Sequence, residues 1–370
     1  MKYLLIDANN VACRAAFVNR DLGVNFIDYS SDFNPDDSLK TDNYFPTGAM
    51  HGFFKMLAAV RRMYSDRYIC IAWDGKSKSR ILESREAVNK GVVPQVYKEN
   101  RSSVAIPMEL VNLHRQRPLI MSALSMTNIP QIVKQDEEAD DIIASLVTKL
   151  KGEDIMIMTN DQDFYQLFDD NVTILNANGS VLTKQWFRNT FGINPSQWVD
   201  VGALAGDSGD NIFGICKWGE GTAIKAVMQH GTCEEVLKSI HSQFDCLREQ
   251  FPDLNSEQFN DLKNLKTKDE KPKFPHIKPW MPFTGVALAY EQGKIKIPRS
   301  ALMALIYEDR VPLAKKLKQM RRSIPMPNLP VDLGRDKMDE FAAFCQKYEL
   351  HAVGELTEFL CSRQTSCIQT

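Results

Sequence analysis

Three short apolar runs constrain the fold of this chain more than any other feature of its sequence. They cover residues 3–6, 68–73 and 155–158, and each is followed at once by Asp or Asn. Apolar runs of this length are typical of buried strands, and helical patterns at residues 48–64 and 139–150 lie between them. Buried strands that alternate with helices predict an α/β fold with a mainly parallel central sheet flanked by helices.

Acidic side chains follow the ends of these predicted strands. Asp7 follows the first strand, Asp74 the second, and Asp161 and Asp163 the third. In a parallel sheet, functional groups collect beyond the carboxyl ends of the strands, so we expect these acids along one edge. Each acid alone is equally well explained as the cap of a helix or turn. Their recurrence after three strands favours a shared site.

A crowded group of acids begins the helical pattern that follows residue 138. Glu138, Asp140 and Asp141 precede an apolar stripe, and two further acids stand just before them. One or two acids in a first turn are explained by the helix dipole, which is the alternative here. Carboxylates this close repel one another unless a cation neutralises them. Oxygen ligands suit Mg²⁺ or Mn²⁺, so the pattern predicts a divalent-metal site.

A glycine-rich turn follows between two helical patterns. Asp207 and Asp210 precede glycines at positions 214, 219 and 221, and a helical pattern begins directly afterwards. Backbone amides that open toward a helix start can bind phosphate without reading bases. The alternative is a tight helix–turn–helix without a ligand.

The segment 96–101 combines an aromatic residue with two cations. Tyr97, Lys98 and Arg101 could lie on one face of a helix, and stacking together with positive charge is how single strands are held. Read alone, the segment is better explained as a solvated charged helix.

Composition limits the classes of protein that this chain can belong to. The chain has 370 residues, a net charge of −2 and eight cysteines without a CxxC pair, which predicts free thiols in a reducing compartment. The amino terminus does not resemble a signal peptide, and no apolar stretch is long enough to span a membrane, so we expect a soluble cytoplasmic protein. The sequence lacks a GxxxxGK[ST] loop, which argues against a nucleotide kinase.

In chain order, seven motifs resemble those of the 5′ nuclease superfamily, which includes flap endonucleases, bacteriophage 5′–3′ exonucleases and the 5′ nuclease domain of DNA polymerase I. The motifs are LLIDANN, PTGAMHGFFKML, AWDG, YKENR, EEADDIIA, TNDQDFYQL and GDSGDNIFGICKWGEGTA. The YKxNR and GDxxDN forms look closest to phage or bacterial members. The resemblance implies a PIN-like core, a helical arch over the active site and a helix–three-turn–helix that grips duplex DNA. It also implies the cytoplasm of a bacterium or of a phage-infected cell.

The resemblance further implies roles for individual residues. Lys98 and Arg101 match arch residues that contact the scissile phosphate, and Tyr97 matches an aromatic residue that stacks near it. The acids that match metal-binding carboxylates are Asp7, Asp74, Glu138, Asp140, Asp161, Asp163 and Asp207, with Asp141 and Asp210 matching additional acids of phage members. The residues expected to contact DNA are Gly214, Lys217, Gly219, Gly221, Thr222 and Lys225. The family turn usually reads Gly-Ile-Gly-x-Lys-Thr-Ala, so Lys217 stands at a glycine position and Gly221 at a lysine position.

We therefore expect two Mg²⁺ (or Mn²⁺) ions as cofactors, with a monovalent cation (K⁺) at the glycine-rich turn. The ions would supply an activated water and charge relief, as in two-metal phosphodiesterases. We expect one ion to be held by Asp7, Asp74, Glu138 and Asp140, and the other by Asp161, Asp163 and Asp207.

The expected function is that of a structure-specific, metal-dependent 5′ nuclease. It would act as a 5′–3′ exonuclease or flap endonuclease on DNA or RNA–DNA during replication or repair, such as primer removal. We expect a monomer that binds a duplex with a 5′ end or flap and no membrane, with a single-stranded-DNA-binding or replication protein as a further partner. Two alternatives stay open: an RNA-directed PIN-type or RNase H-like nuclease, and a non-catalytic DNA-binding relative.

The expected domain organisation has four parts. A nuclease core covers residues 1–190 and includes the arch at about 76–115, and the helix–three-turn–helix region covers 191–262. A Lys- and Pro-rich linker or extended connection covers 263–298, and a C-terminal helical region of unknown role covers 299–370.

Overall fold

The computed structural model describes residues 1–25, 44–75, 77–103, 105–329, 337–354 and 357–361. Its strands are β1 Lys2–Asp7, β2 Gly23–Asn25, β3 Tyr44–Pro46, β4 Tyr68–Trp73, β5 Gln131–Val133, β6 Asp154–Met158, β7 Val172–Leu175 and β8 Val181–Leu182. Its first helices are α1 Ala8–Val18, α2 Gly48–Met63, α3 Lys78–Asn89, α4 Asn100–Ser103, α5 Met108–Leu124, α6 Ala139–Lys149, α7 Lys184–Phe191, α8 Trp198–Ala205 and α9 Glu220–His230. The later helices are α10 Cys233–Phe244, α11 Cys246–Gln250, α12 Ser256–Lys263, α13 Thr284–Glu291, α14 Arg299–Tyr307, α15 Val311–Lys318, α16 Met338–Lys347, α17 His351–Gly354 and α18 Thr357–Cys361. Short 3-10 helices cover Gln162–Leu167, Pro195–Gln197 and Glu308–Arg310.

The central sheet confirms the predicted α/β architecture. Its strand order is β5-β4-β1-β6-β7-β8, and all neighbours are parallel except β7 and β8, which form an antiparallel pair. The three predicted strands are β4 and parts of β1 and β6, and they lie side by side in its centre. Their carboxyl ends therefore open at one edge.

Both faces of the sheet are covered, which explains why its central strands are apolar throughout. In β1, Leu4 and Ile6 pack into one core layer with residues of α1, α2 and α5. Tyr3 and Leu5 point to the opposite layer, which contains residues of α6 and α8. Side chains alternate between the two faces of a strand, so a strand in the middle layer needs apolar residues at successive positions.

The expected linker or extended connection at residues 263–298 packs against the body of the protein. It contains α13, and the side chains of Phe274, Ile277, Met281 and Phe283 are buried in the same core as α8 and α14. Apolar residues this widely spaced among lysines and prolines form no periodic pattern, yet each fills a place in the core. The segment thus continues the helical half of the molecule.

The C-terminal helices pack back onto the amino-terminal half. Helix α15 packs along α8, while the ring of Phe341 in α16 meets that of Phe54 in α2 at a centroid distance of 5.4 Å. Arg61 donates a hydrogen bond of 3.1 Å to the backbone oxygen of Leu360. Residues 330–336, 355–356 and 362–370 of the expected C-terminal region, including Cys367, lie outside the described residues. Across the part of the chain that is described, no helix combines the length and apolar character needed to cross a membrane.

Candidate active site

Acidic side chains gather at the carboxyl edge of the sheet, as predicted. Asp7 is the last residue of β1, is buried, and accepts hydrogen bonds from the backbone of Asn10 (3.2 Å) and the hydroxyl of Thr159 (3.0 Å). Asp74 follows β4 and accepts a hydrogen bond of 2.7 Å from the backbone of Ala139. Asp7 therefore caps α1 and also lies at the shared edge of the sheet.

A cavity of about 650 Å³ opens above this edge of the sheet. The charged side chains that line it are Asp7, Asp74, Asp140, Asp161 and Asp210, together with Lys98, Arg101, His114 and Arg117. Four of the lining carboxylates (Asp7, Asp74, Asp140 and Asp161) are here called the open acids. The acids come from β1, from the segment after β4, from α6 and from the segment after β6, so the parallel sheet brings them together.

Burial and nearby negative charge disfavour the charged form of Asp7, Asp140 and Asp161 and raise the pKa of each. Burial, reinforced by Asp74, raises the pKa of Asp7 to about 7. Burial also raises the pKa of Asp140 well above its usual range, with further contributions from Asp161, Asp7 and Asp74. Within the described ranges, no lysine or arginine forms an ion pair with an open acid, since Lys98, Arg101 and Lys318 pair with other carboxylates and Arg117 donates to the backbone oxygen of Asp74. A group of oxygen donors that is at least half-buried and lacks an ion-pair partner fits a divalent cation.

A second cavity of about 570 Å³ adjoins the first, and Asp161 lines both. Asp163 and Asp207 line the second cavity together with Lys318. The ammonium nitrogen of Lys318 lies 2.6 Å from Asp163 Oδ1 and 3.1 Å from Asp207 Oδ2. Sequence reasoning missed Lys318, although the basic run at residues 315–322 could have drawn attention to it.

Lys318 affects its two partners differently. Burial raises the pKa of Asp163 to about 6 although Lys318 opposes the shift. Burial also acts on Asp207, but Lys318 and backbone donors outweigh it and hold the pKa of Asp207 below its usual value. The difference follows from solvent access and from hydrogen bonds, since Asp207 also accepts one of 2.9 Å from the amide of Gly209.

Glu138 is held by cations rather than exposed to the cavity. It is buried and accepts hydrogen bonds from Arg80 (2.6 Å) and Lys98 (2.7 Å). Burial favours its neutral form, but Lys98 and Arg80 together lower the pKa of Glu138. Tyr97 also donates to it, at 3.2 Å, and its ring is buried. The expectation that Tyr97 is an exposed stacking platform is therefore wrong, because the ring belongs to the core.

Asp141 points away from its neighbour Asp140. It has no exposed surface, accepts a hydrogen bond of 2.8 Å from Arg80, and pairs with Arg321 at 2.9 Å. The backbone amide of Arg321 donates a further hydrogen bond of 2.8 Å to it. The structure does not bring Asp141 to either cavity, so this carboxylate stands apart from the other acids expected to bind metal.

The segment that carries Lys98 and Arg101 is fastened to the glycine-rich turn. The backbone amide of Lys98 donates to the backbone oxygen of Asp210 at 2.8 Å, and the Asn100 side chain donates to Ser208 and Gly209. Arg101 pairs with Asp210, and the Lys98 ammonium lies 3.8 Å from the same carboxylate. Both cations therefore line the same cavity as the open acids. Residues 76 and 104 of the expected arch lie outside the described residues.

The glycine-rich turn connects α8 to α9, as expected for a helix–turn–helix. Gly214 is buried, and a Cβ there would lie 2.5 Å from the backbone of Gly206 and Leu204. Lys217 has a φ of +66°, a left-handed conformation that explains why a glycine is usual at this position. The other residues expected to contact DNA are exposed: Gly219, Gly221, Thr222 and Lys225. A K⁺ ion at this turn stays a prediction.

One tighter group of ligand atoms lies outside both cavities. The ligand atoms of Asp200, Cys233 and Glu234 all lie within 4.8 Å of one another. Lys315 already bridges it, with its ammonium 2.9 Å from Asp200 and 2.8 Å from Glu234. Its charge is therefore compensated, in contrast to that of the open acids.

Comparison with known proteins gives the same picture. The family model described as the 5′-3′ exonuclease N-terminal resolvase-like domain matches residues 2–192, and that of the 5′-3′ exonuclease C-terminal SAM fold matches residues 193–273. A 5′-3′ exonuclease of Aquifex aeolicus is 33% identical over 204 residues, which are 54% of this chain and 66% of that protein. A thermostable DNA polymerase I of Thermus thermophilus is 29% identical over 241 residues, 65% of this chain and 25% of the polymerase. The chain thus spans only a quarter of the polymerase's length and about two thirds of the exonuclease's.

Two solved structures share the fold. The T5 5′-exonuclease, solved with zinc ions bound, superposes with a TM-score of 0.56 at 14% identity, covering 98% of this chain and all of that one. The catalytic core of Rad2, in complex with DNA substrate, gives a TM-score of 0.50 at 14% identity, covering 97% of this chain and 91% of that one. These likenesses confirm the predicted PIN-like fold. Since the first family model alone matches more than half of the sequence, the chain belongs to the 5′–3′ exonuclease family.

Proposed function

We propose that this chain is a metal-dependent 5′ nuclease that hydrolyses phosphodiesters in DNA or RNA–DNA with a 5′ end or flap. The observation that carries the proposal is the placement of the open acids at one sheet edge, where Asp7 is buried and the other three are half-buried, without an ion-pair partner among the described lysines and arginines. Lys98 and Arg101 line the same cavity. Carboxylate oxygens and two cations that line one cavity fit a substrate phosphate and its metal ions.

The residues present fit divalent ions at two adjoining positions. The open acids would hold one ion, and Asp161, Asp163 and Asp207 would surround the other position. Mg²⁺ or Mn²⁺ bound there supplies an acidified water and stabilises charge on the phosphate and the leaving oxygen. The open acids are spaced too widely for oxygens from three different residues among them to lie within 4.8 Å of one another. This spacing suits ions that keep several of their waters.

The chain's own side chains orient the substrate in this proposal. Lys98 is fixed by Glu138, so its ammonium is preorganised to meet charge that develops on the phosphate. Arg101 is more exposed, with 60% of its side chain accessible, and it can leave Asp210 to follow a phosphate oxygen. We further propose that the exposed turn at residues 217–225 binds the duplex through its backbone, which makes binding independent of sequence.

The proposal is tested by a Mg²⁺-dependent digest of three 5′-labelled substrates. A DNA flap, a nicked duplex and an RNA-primed duplex are incubated with the protein, and product sizes separate stepwise removal from flap cutting. We expect Asp161→Asn to lose cleavage while it still binds the flap, because Asp161 lines both cavities. The matched control is Asp170→Asn, whose carboxylate is exposed and pairs with Lys184. Wild-type turnover in Asp161→Asn, or no cleavage by the wild type with Mg²⁺ or Mn²⁺, contradicts the proposal.

A further inference from the structure

Lys318 is built into the second cavity rather than lying loosely over it. It is the last residue of α15, and only 10% of its side chain is accessible. Its stem crosses α8 at Gly202, where a Cβ would lie 2.9 Å from the Lys318 Cε. The backbone that follows it is fixed by Gln166, which donates to the oxygen of Lys318 (3.1 Å) and accepts from the amide of Met320 (3.0 Å). The position of the ammonium is therefore fixed by the packing of the stem on α8, by the hydrogen bonds of Gln166 to the backbone, and by the two carboxylates.

The two cavities differ in their charge compensation. The open acids form no ion pair with a described lysine or arginine, whereas Asp163 and Asp207 share the ammonium of Lys318. An ammonium that bridges two carboxylates takes the place that a bound cation would take between them. It brings one positive charge and three hydrogen-bond donors, where a divalent ion brings two charges and needs oxygen ligands.

We propose that Lys318 acts as an internal cation at the second metal position, so that this chain binds one divalent ion readily and a second only in competition with Lys318. The inference rests on the proposed function, since it concerns the same acids. Asp163 and Asp207 can then stay charged and close together before a second ion arrives. Entry of that ion requires the ammonium to move away from at least one of its two partners. Lys318 thereby sets how much free metal the protein needs to fill both positions.

The test is a calorimetric titration of the DNA-free protein with Mn²⁺. We expect the wild type to bind one ion, followed by a second with an affinity at least about tenfold weaker, because a unit positive charge at contact distance opposes it. Lys318→Met removes the charge but keeps the stem, and it should increase the affinity for the second ion by about tenfold or more. Lys318→Arg keeps the charge and should behave like the wild type. The matched control is Lys316→Met on the same helix, where the exposed ammonium pairs with Glu83 at 2.9 Å, and it should change neither affinity.

A thermal readout accompanies the titration. In the absence of metal, Lys318→Met should unfold at a lower temperature than the wild type. Saturating Mn²⁺ should raise the Tm of the variant more than that of the wild type, since the ion then replaces the missing ammonium. If Lys318→Met does not fold, Lys318→Gln carries the same test, because its neutral amide can still donate to a carboxylate. Two equally tight ions in the wild type, or identical affinities in the wild type and the neutral variant, overturn the inference. If the wild type gives one of these two results but still cleaves DNA, the proposed function stands and only the role of Lys318 is overturned. If the wild type binds Mn²⁺ but does not cleave DNA, only the proposed function is overturned.

Discussion

Substitution of Arg80 tests whether its buried ion pairs with two of the acids stabilise the folded protein. Its guanidinium lies 2.6 Å from Glu138 and 2.8 Å from Asp141, and all three side chains are buried. Removing one member of a buried ion pair leaves a charge without compensation, which typically costs about 3–5 kcal/mol. Glu138 keeps Lys98 and Asp141 keeps Arg321 as partners, so we expect Arg80→Met to lower the free energy of unfolding by about 3 kcal/mol, at the low end of that range.

The loss is measured by urea unfolding followed by circular dichroism, and it corresponds to a fall in Tm of about 4 °C. The matched control is Arg85→Met, the same substitution at an exposed position of the same helix, with an expected change below about 0.5 kcal/mol. Adding Asp141→Asn to Arg80→Met should recover part of the loss, since it removes one of the two charges that Arg80 compensates. Equal stability of the Arg80 and Arg85 variants would refute the reasoning. So would a double variant whose loss of unfolding free energy exceeds the sum of the losses of the two single variants.

Three further outcomes follow from the same geometry. Lys98→Ala should slow single-turnover cleavage on the order of a hundredfold with little change in flap affinity. Lys90→Ala, an exposed control, should cleave at the wild-type rate, and equal rates for the two variants contradict the role of Lys98. Lys225→Ala should weaken duplex binding equally for all sequences and reduce the slope of log affinity against log salt by about one, and an unchanged slope removes this residue from the interface. Since burial raises the pKa of Asp7 to about 7, the metal-free protein should lose stability as pH rises from about 4 through 7, and added Mg²⁺ should stabilise it most at the upper end; a metal-free Tm that rises over this range contradicts the assignment.

The sequence predicts the parts of this molecule that depend on local pattern. The central strands could be predicted because a strand covered on both faces needs a continuous apolar run. The position of Asp7 and Asp74 followed from the rule that parallel strands end at one edge. These inferences need only the residues of a single element and the topology of the sheet.

The remaining features depend on contacts between distant parts of the chain. Lys318 reaches Asp163 across 155 positions, and no periodic pattern connects the two. The burial of Tyr97 depends on Glu138 and Ser84, which come from other elements. The different fates of Asp140 and Asp141 were accessible in principle, since adjacent residues on a helix do not share a face. The helical pattern alone could not predict that Arg80 and Arg321 would pair with Asp141.

This adjacent pair provides the most direct measurement of where the chemistry occurs. Asp140→Asn and Asp141→Asn are compared with the wild type in single-turnover cleavage of a 5′-labelled flap with Mg²⁺, at a temperature where circular dichroism shows all three proteins folded. Asp140 lines the cavity of the open acids, so its variant should lose cleavage by about a hundredfold or more. Asp141 is enclosed by Arg80 and Arg321, so its variant should cleave nearly as the wild type does but unfold at a lower temperature. Cleavage that survives Asp140→Asn, or that vanishes in folded Asp141→Asn, would contradict the placement of the metal site among the open acids.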